Sequence, residues 1–167
     1  EEAIAGALDI ICEKMSDDVN IRKAIRELYF EQGYIATTLN EQEKESKERL
    51  YVYEVYKDYK EAVKTIPSHR ILAINRGEKE NCLNVSLEID QELVKNVLYK
   101  DFVKDSPIAD LIRAAADDAY DRLIKPSIQR EVRADLFEKA SEQAIKMFET
   151  NLRPLIMQPA IKNKVVM

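Results

Sequence analysis

The segment IQREVRADLFEKASEQAIKMFETNLRPLIM, residues 128–157, carries one unbroken helical period. Val132, Leu136, Phe137, Ala140, Ala144, Ile145, Phe148, Leu152 and Leu155 recur at the spacing of a single helix face. About 30 residues at 1.5 Å each span roughly 45 Å. Such a helix reads as a spine between modules, and Pro159 ends it.

Upstream of this spine, Pro126 either restarts a helix at its first turn or kinks a continuous one. Ser106-Pro107 opens the preceding helix, which runs to about Lys125, and Asp90 caps another that reaches about Phe102. Between Cys82 and Ile89 the period changes: Leu83, Val85, Leu87 and Ile89 alternate, which predicts a strand. A strand needs a neighbour. Tyr34–Leu39, short and rich in β-branched residues, is the local choice, and a partner outside this chain is the other option. Residues 68–80 predict a helix with Ser68 as N-cap and Ile71, Leu72 and Ile74 on its buried face. Two N-terminal helices come first. One covers residues 3–15, with Ile4, Leu8, Ile11 and Met15 on one face. The next, after cap groups in Ser16-Asp17-Asp18, ends near Gln32, with Gly33 expected in a left-handed conformation. The expected fold is mostly α: several helices, one small strand pair (about 34–39 and 82–89) and a long C-terminal helix. Three regions are expected: an N-terminal helical lobe (1–66), a central helical region with the spine (67–160), and the start of a truncated following domain (161–167).

Composition narrows the class. The 167 residues are 46% hydrophobic and 34% charged, with only three glycines and five prolines, which favours helices over turn-rich β architecture. A net charge of -5 argues against a basic surface spread over the whole molecule. Cys12 and Cys82 lie far apart without a CxxC, and His69 is the single histidine, so four zinc ligands are not to hand and no metal or cofactor is expected. Two such cysteines fit thiols in a reducing cytoplasm. No apolar run approaches the ~20 residues of a membrane span. The chain begins Glu1-Glu2, which reads as an excised piece.

Few residues suggest chemistry. His69 is the sole candidate general base, and Ser68 beside it points elsewhere on a helix, so no catalytic residue is assigned and an enzyme is not expected. His69 and Arg70 read as packing and hydrogen-bonding groups at a helix start. Arg76 and Lys79 share a face at i, i+3, and Glu80 follows Arg76 by four; an intrahelical ion pair and a phosphate or partner contact both fit. Gly77 stands alone, without a phosphate-binding loop. Glu41–Arg49 is a mixed-charge run that reads as a solvated helix face. Tyr51, Tyr53, Tyr56 and Tyr59 suit packing, or a surface for another protein. The densest basic stripe is Arg122, Lys125, Arg130 and Arg133: between Tyr120 and Arg133 four bases face two acids. Each base offers a contact to one phosphate. A solvated face, or docking onto an acidic module, accounts for the same pattern.

Three spaced segments also resemble one family. Asp58-Tyr59 and Ile66-Pro67-Ser68-His69-Arg70 lead into Ile71-Leu72-Ala73-Ile74-Asn75-Arg76-Gly77-Glu78. This resembles the "DY…IPSHR" and "HRxLAxNRGE" signature of the Tex family of bacterial transcription accessory proteins. Leu123-Ile124-Lys125-Pro126-Ser127-Ile128-Gln129-Arg130-Glu131-Val132-Arg133 is similar to "RLIxPSIERExR". Ala144-Ile145 through Leu155-Ile156-Met157-Gln158-Pro159 is similar to "AIxxFxxNLRxLLLQPP". His69, Arg70, Asn75, Arg76, Gly77 and Glu78 carry the signature itself. The resemblance implies that Lys164–Met167 begins a strand of an RNase H-like domain. It implies nucleic-acid binding, RNA or DNA, through an OB-fold absent from this chain. It further implies a role in transcription, and the expected role of this chain is a non-catalytic scaffold region; the alternative is a protein-interaction module that docks RNA polymerase or another factor through the Tyr51–Tyr59 surface.

Overall fold

A computed structural model describes residues 2–40, 51–103 and 107–158. Helices α1 (Glu2–Asp17) and α2 (Val19–Gln32) are split by Asp18, whose carboxylate accepts from the Asn20 and Ile21 amides at 2.8 and 3.2 Å. These bonds satisfy two of the amides a helix start leaves unpaired, the usual work of an N-cap. Ile21, Ile25 and Tyr29, one turn apart, are buried. Gly33 ends α2 without a left-handed turn, at φ -76 and ψ 157. It is required by space instead: a Cβ there would sit 2.3 Å from the Tyr29 carbonyl oxygen. The chain passes directly into strand β1 (Tyr34–Leu39).

The sheet has three antiparallel strands in the order β2-β1-β3, with β2 at Tyr59–Ala62 and β3 at Leu83–Glu88. Pairing places Ile35 opposite both Glu61 and Leu87. The expected strand pair is therefore present, and β2 is an addition to it. Asp58 (φ 49) and Asn81 (φ 55) make the left-handed turns that lead into β2 and β3. Such turns suit short side chains that bond to local backbone.

Helix α3 (Ser68–Lys79) begins one residue earlier than the sequence suggests: Pro67 occupies the cap position without a side-chain cap. Ser68 is already helical, and its hydroxyl bonds to Gln143 on the last helix. Helix α4 (Gln91–Phe102) is capped as expected, Asp90 accepting from the Glu92 amide at 3.0 Å. Helix α5 (Ala109–Ala119) runs through a π turn (Tyr120–Ile124) into α6 (Lys125–Ile156) without a break. Pro126 lies in the first turn of α6, and the Lys125 amide bonds back to Tyr120. A proline supplies no amide hydrogen, so widening the preceding turn keeps the rod continuous where an ordinary turn would clash.

The main core gathers Ile21, Ile25 and Tyr29 with Ile35, Ile71, Ile74, Leu87, Val94, Leu98, Ile124, Ile128, Val132 and Leu136. It draws on residues from both sides of position 66/67. Burying one such aliphatic side chain contributes about 1.5–3 kcal/mol. A second cluster packs Cys12 and Met15 of α1 on Ala115, Ala116 and Ala119 of α5, small residues that let the two helices approach closely. Cys12 and Cys82 are both buried. Among the described residues, no helix is long and apolar enough to cross a membrane.

Burial along α6 stops at Ala140. The apolar period continues past it, but Ile145, Phe148 and Leu155 are exposed (67, 65 and 63%). The charged run at 41–49, Ser106, Pro159 and the strand expected at 161–167 lie outside the described residues.

Candidate interaction site

The signature helix is an anchoring element. Arg70 donates to the Tyr59 hydroxyl at 2.9 Å and to the Glu61 carboxylate at 3.0 Å, and the Tyr59 hydroxyl donates to that same carboxylate. This triangle ties α3 to β2. The Tyr59 bond, seconded by Arg70, holds the Glu61 carboxyl below its ordinary range, while burial raises the Tyr59 phenol. Arg76 donates to Glu80 at 2.8 Å, and Tyr53 donates to Glu80 at 3.0 Å. Gly77 sits where α3, β3 and Tyr53 converge: a Cβ there would lie 2.6 Å from Leu83 Cδ1. Glu78 accepts from Arg133 of α6. His69 departs from expectation. It is exposed and forms no hydrogen bond among the described residues.

The four residues of the basic stripe separate. Arg122 bonds to Asp9 and Asp118 at 3.2 and 3.0 Å, against α1. Lys125 lies 3.7 Å from Asp121 and over the Tyr120 ring. Arg130 and Arg133, one turn further along, line a groove of about 530 Å³ between α3, β3 and α6. Its walls bring Asn75 and Lys79 from α3 against Gln129, Arg130 and Phe137 from α6, with Val85–Leu87 of β3 along its floor. Among the described residues no carboxylate lines it. Arg133 is neutralised by Glu78, whereas Lys79 and Arg130 have no acidic partner among the described residues. The Lys79 ammonium stands 5.3 Å over the Phe137 ring. Arg76 and Lys79, expected to share a face, serve different surfaces: Arg76 lines a second groove with Tyr56 and Leu72.

Sequence reasoning did not find Ser86, Gln129 or Phe137 in this site. Gln129 bridges two buried elements, donating to the Leu87 carbonyl at 2.7 Å and to the Tyr29 hydroxyl at 3.4 Å. That hydroxyl meets Tyr120's at 3.1 Å. Burial, then this contact, raises the Tyr120 phenol. Of the four tyrosines from 51 to 59, Tyr53 is buried, Tyr56 and Tyr59 are half-buried and pack edge-to-face, and only Tyr51 is exposed, beside Val52 and Val55.

Residues 1–148 match the family described as Tex central region-like. YdcI of Bacillus subtilis (strain 168) is 41% identical over the whole chain, which covers 23% of that protein. The transcriptional accessory protein Tex of Neisseria gonorrhoeae is 27% identical over 93% of the chain, covering 21% of its own length. Human S1 RNA-binding domain-containing protein 1 is 27% identical over 68% of the chain and 12% of that protein. The chain thus spans about a quarter or less of these relatives.

Proposed function

Because this chain belongs to the Tex central region-like family, we propose that it is a non-catalytic scaffold region of a nucleic-acid-binding transcription accessory protein. Its work is to position RNA-binding modules that lie outside these 167 residues, in the cytoplasm. The observation that carries this reading is the uncovered stripe on the distal half of α6. Ile145, Phe148, Leu152 and Leu155 follow one another at spacings of three, four and three, the pattern of a helix face made to be packed upon. A stripe of that kind marks an interaction surface, and among the described residues its members are exposed except for half-buried Leu152. The printed names of the relatives, transcriptional accessory and S1 RNA-binding domain-containing, supply the class of modules.

The test is hydrogen exchange over residues 141–156, in the isolated chain and in the native gene product. Strong additional protection in the native product supports the scaffold reading. Equal exchange in both rejects it.

Direct nucleic-acid contact by the chain is a subsidiary part of this proposal. Of Arg122, Lys125, Arg130 and Arg133, only Arg130 lacks an acidic partner among the described residues. RNA binding by the chain alone is therefore weak, with a salt slope of about -1 or shallower. A slope of about -3 would show the four bases acting as a unit.

The second reading is a module that docks RNA polymerase or another factor, and it rests on exposed Tyr51, Val52 and Val55 beside the groove of Tyr56 and Leu72. Capture of purified polymerase, lost in the pair Val52→Glu with Val55→Glu, would favour it.

A further inference from the structure

We propose that the groove between α3, β3 and α6 receives an extended acidic peptide from a partner protein, which adds a fourth strand to the outer edge of β3. The sheet order leaves β3 at an edge. The register shows which of its backbone groups are free. The Asn40 amide bonds to the Cys82 carbonyl at 2.9 Å, so Asn84, Ser86 and Glu88 form the bonded pairs with β1. Antiparallel pairing alternates, and Val85 and Leu87 therefore turn their amides and carbonyls outward. Gln129 marks that direction, since it reaches the Leu87 carbonyl from α6 across the groove. The Val85 amide and carbonyl have no partner among the described residues. An edge of this kind is a template for another strand, with main-chain bonds giving affinity and flanking side chains giving selectivity.

Charge selects the partner. Among the described residues Lys79 on one wall and Arg130 on the other are uncompensated and no acid lines the space between them, although the chain as a whole carries -5. An extended segment with carboxylates on alternate residues would set them toward these cations while its backbone runs along Val85. A single nucleic-acid strand fits less well. Phe137, the one aromatic ring in the groove, is already covered by the Lys79 ammonium, and the outward Val85 carbonyl would oppose a phosphate. This inference stands apart from the scaffold role, which concerns the other end of α6.

The probe is an acetylated, amidated eight-residue peptide alternating Glu and Val, added to the 167-residue chain at low salt and followed by amide NMR shifts. Saturable shifts centred on Val85 and Ser86 are expected. Lys79→Glu with Arg130→Glu should weaken binding at least tenfold and should confer binding on the matching Lys–Val peptide, a gain that a misfolded variant could not show. N-methylation of alternate peptide amides should abolish binding in one phase and spare it in the other. Absence of binding, equal effects of both N-methyl phases, or tighter binding of an oligouridylate at the same residues would overturn the proposal.

Discussion

Arg133 of α6 donates to the Glu78 carboxylate of α3, and this bond pins the helix that carries the family signature to the spine. Both side chains are about one-third exposed, so the pair is neither dry nor freely solvated. Glu78→Gln should lower stability by about 0.5–1 kcal/mol, the scale of a partly exposed ion pair. Urea unfolding of Glu78→Gln, Arg133→Met and the double variant measures the coupling. Strict additivity would show that the contact does not stabilise the fold.

Two glycines should respond with opposite signs. Gly77→Ala places a methyl 2.6 Å from Leu83 Cδ1 and 3.0 Å from Tyr53 Cδ1, both in buried side chains. The overlap outweighs the helix-propensity gain of ~1 kcal/mol, for a net loss of about 1–2 kcal/mol. Gly6 of α1 has nothing within 4 Å of an added Cβ. Gly6→Ala should stabilise by up to ~1 kcal/mol. Thermal midpoints of the two variants decide the matter, and a shift in the same direction would contradict it.

His69 should be silent for stability. It is exposed and unbonded, so His69→Ala should change unfolding free energy by no more than about 0.5 kcal/mol. Arg70→Ala, by contrast, opens the Tyr59–Glu61–Arg70 triangle and should lower the denaturation midpoint. A loss at position 69 equal to that at position 70 would be inconsistent with these contacts.

Alkaline pH should unfold the chain in a defined window. Burial and the bond to Asp117, 2.7 Å long, push the Tyr99 phenol from its ordinary 10.0 up to about 12. Tyr120 is raised as well, by burial and by Tyr29. Between pH 10 and 12 the unfolded chain has released these protons and the folded chain still holds them. Stability is therefore intact below pH 10 and falls as pH climbs toward 12. Tyrosinate absorbance should show late-ionising tyrosines, and Tyr99→Phe should flatten the decline in stability over that window.

Much of the architecture was legible because period alone reports it. The α6 stripe and the alternation at Leu83, Val85 and Leu87 each report the type of element, although along α6 burial follows the stripe only as far as Ala140. Strand β2 was not legible. Tyr59-Lys60-Glu61-Ala62 has no apolar alternation, and it is held by pairing with β1 and by the Arg70 contacts rather than by its own propensity. The groove was half visible. Arg130 and Arg133 stood out as charge, but Lys79, Val85 and Phe137 come from three separate elements that only tertiary packing unites. The stripe parted because Arg122 and Lys125 are drawn to Asp9, Asp118 and Asp121, while Arg130 and Arg133 face the groove.

The π turn at Tyr120–Ile124 makes α5 and α6 one beam. Its inner length is clamped from two sides, by Arg22 to Glu131 and Arg26 to Asp135 out of α2, and by Arg133 to Glu78 out of α3. Past Gln143, the last position that Ser68 of α3 reaches, it continues through Ile156 with its large apolar side chains mostly exposed, over roughly 20 Å at 1.5 Å per residue. Mechanically this is a cantilever. A force applied at its tip arrives as torque on three guanidinium–carboxylate contacts, so the bearing of the overhang is set by side chains far from whatever grips its end.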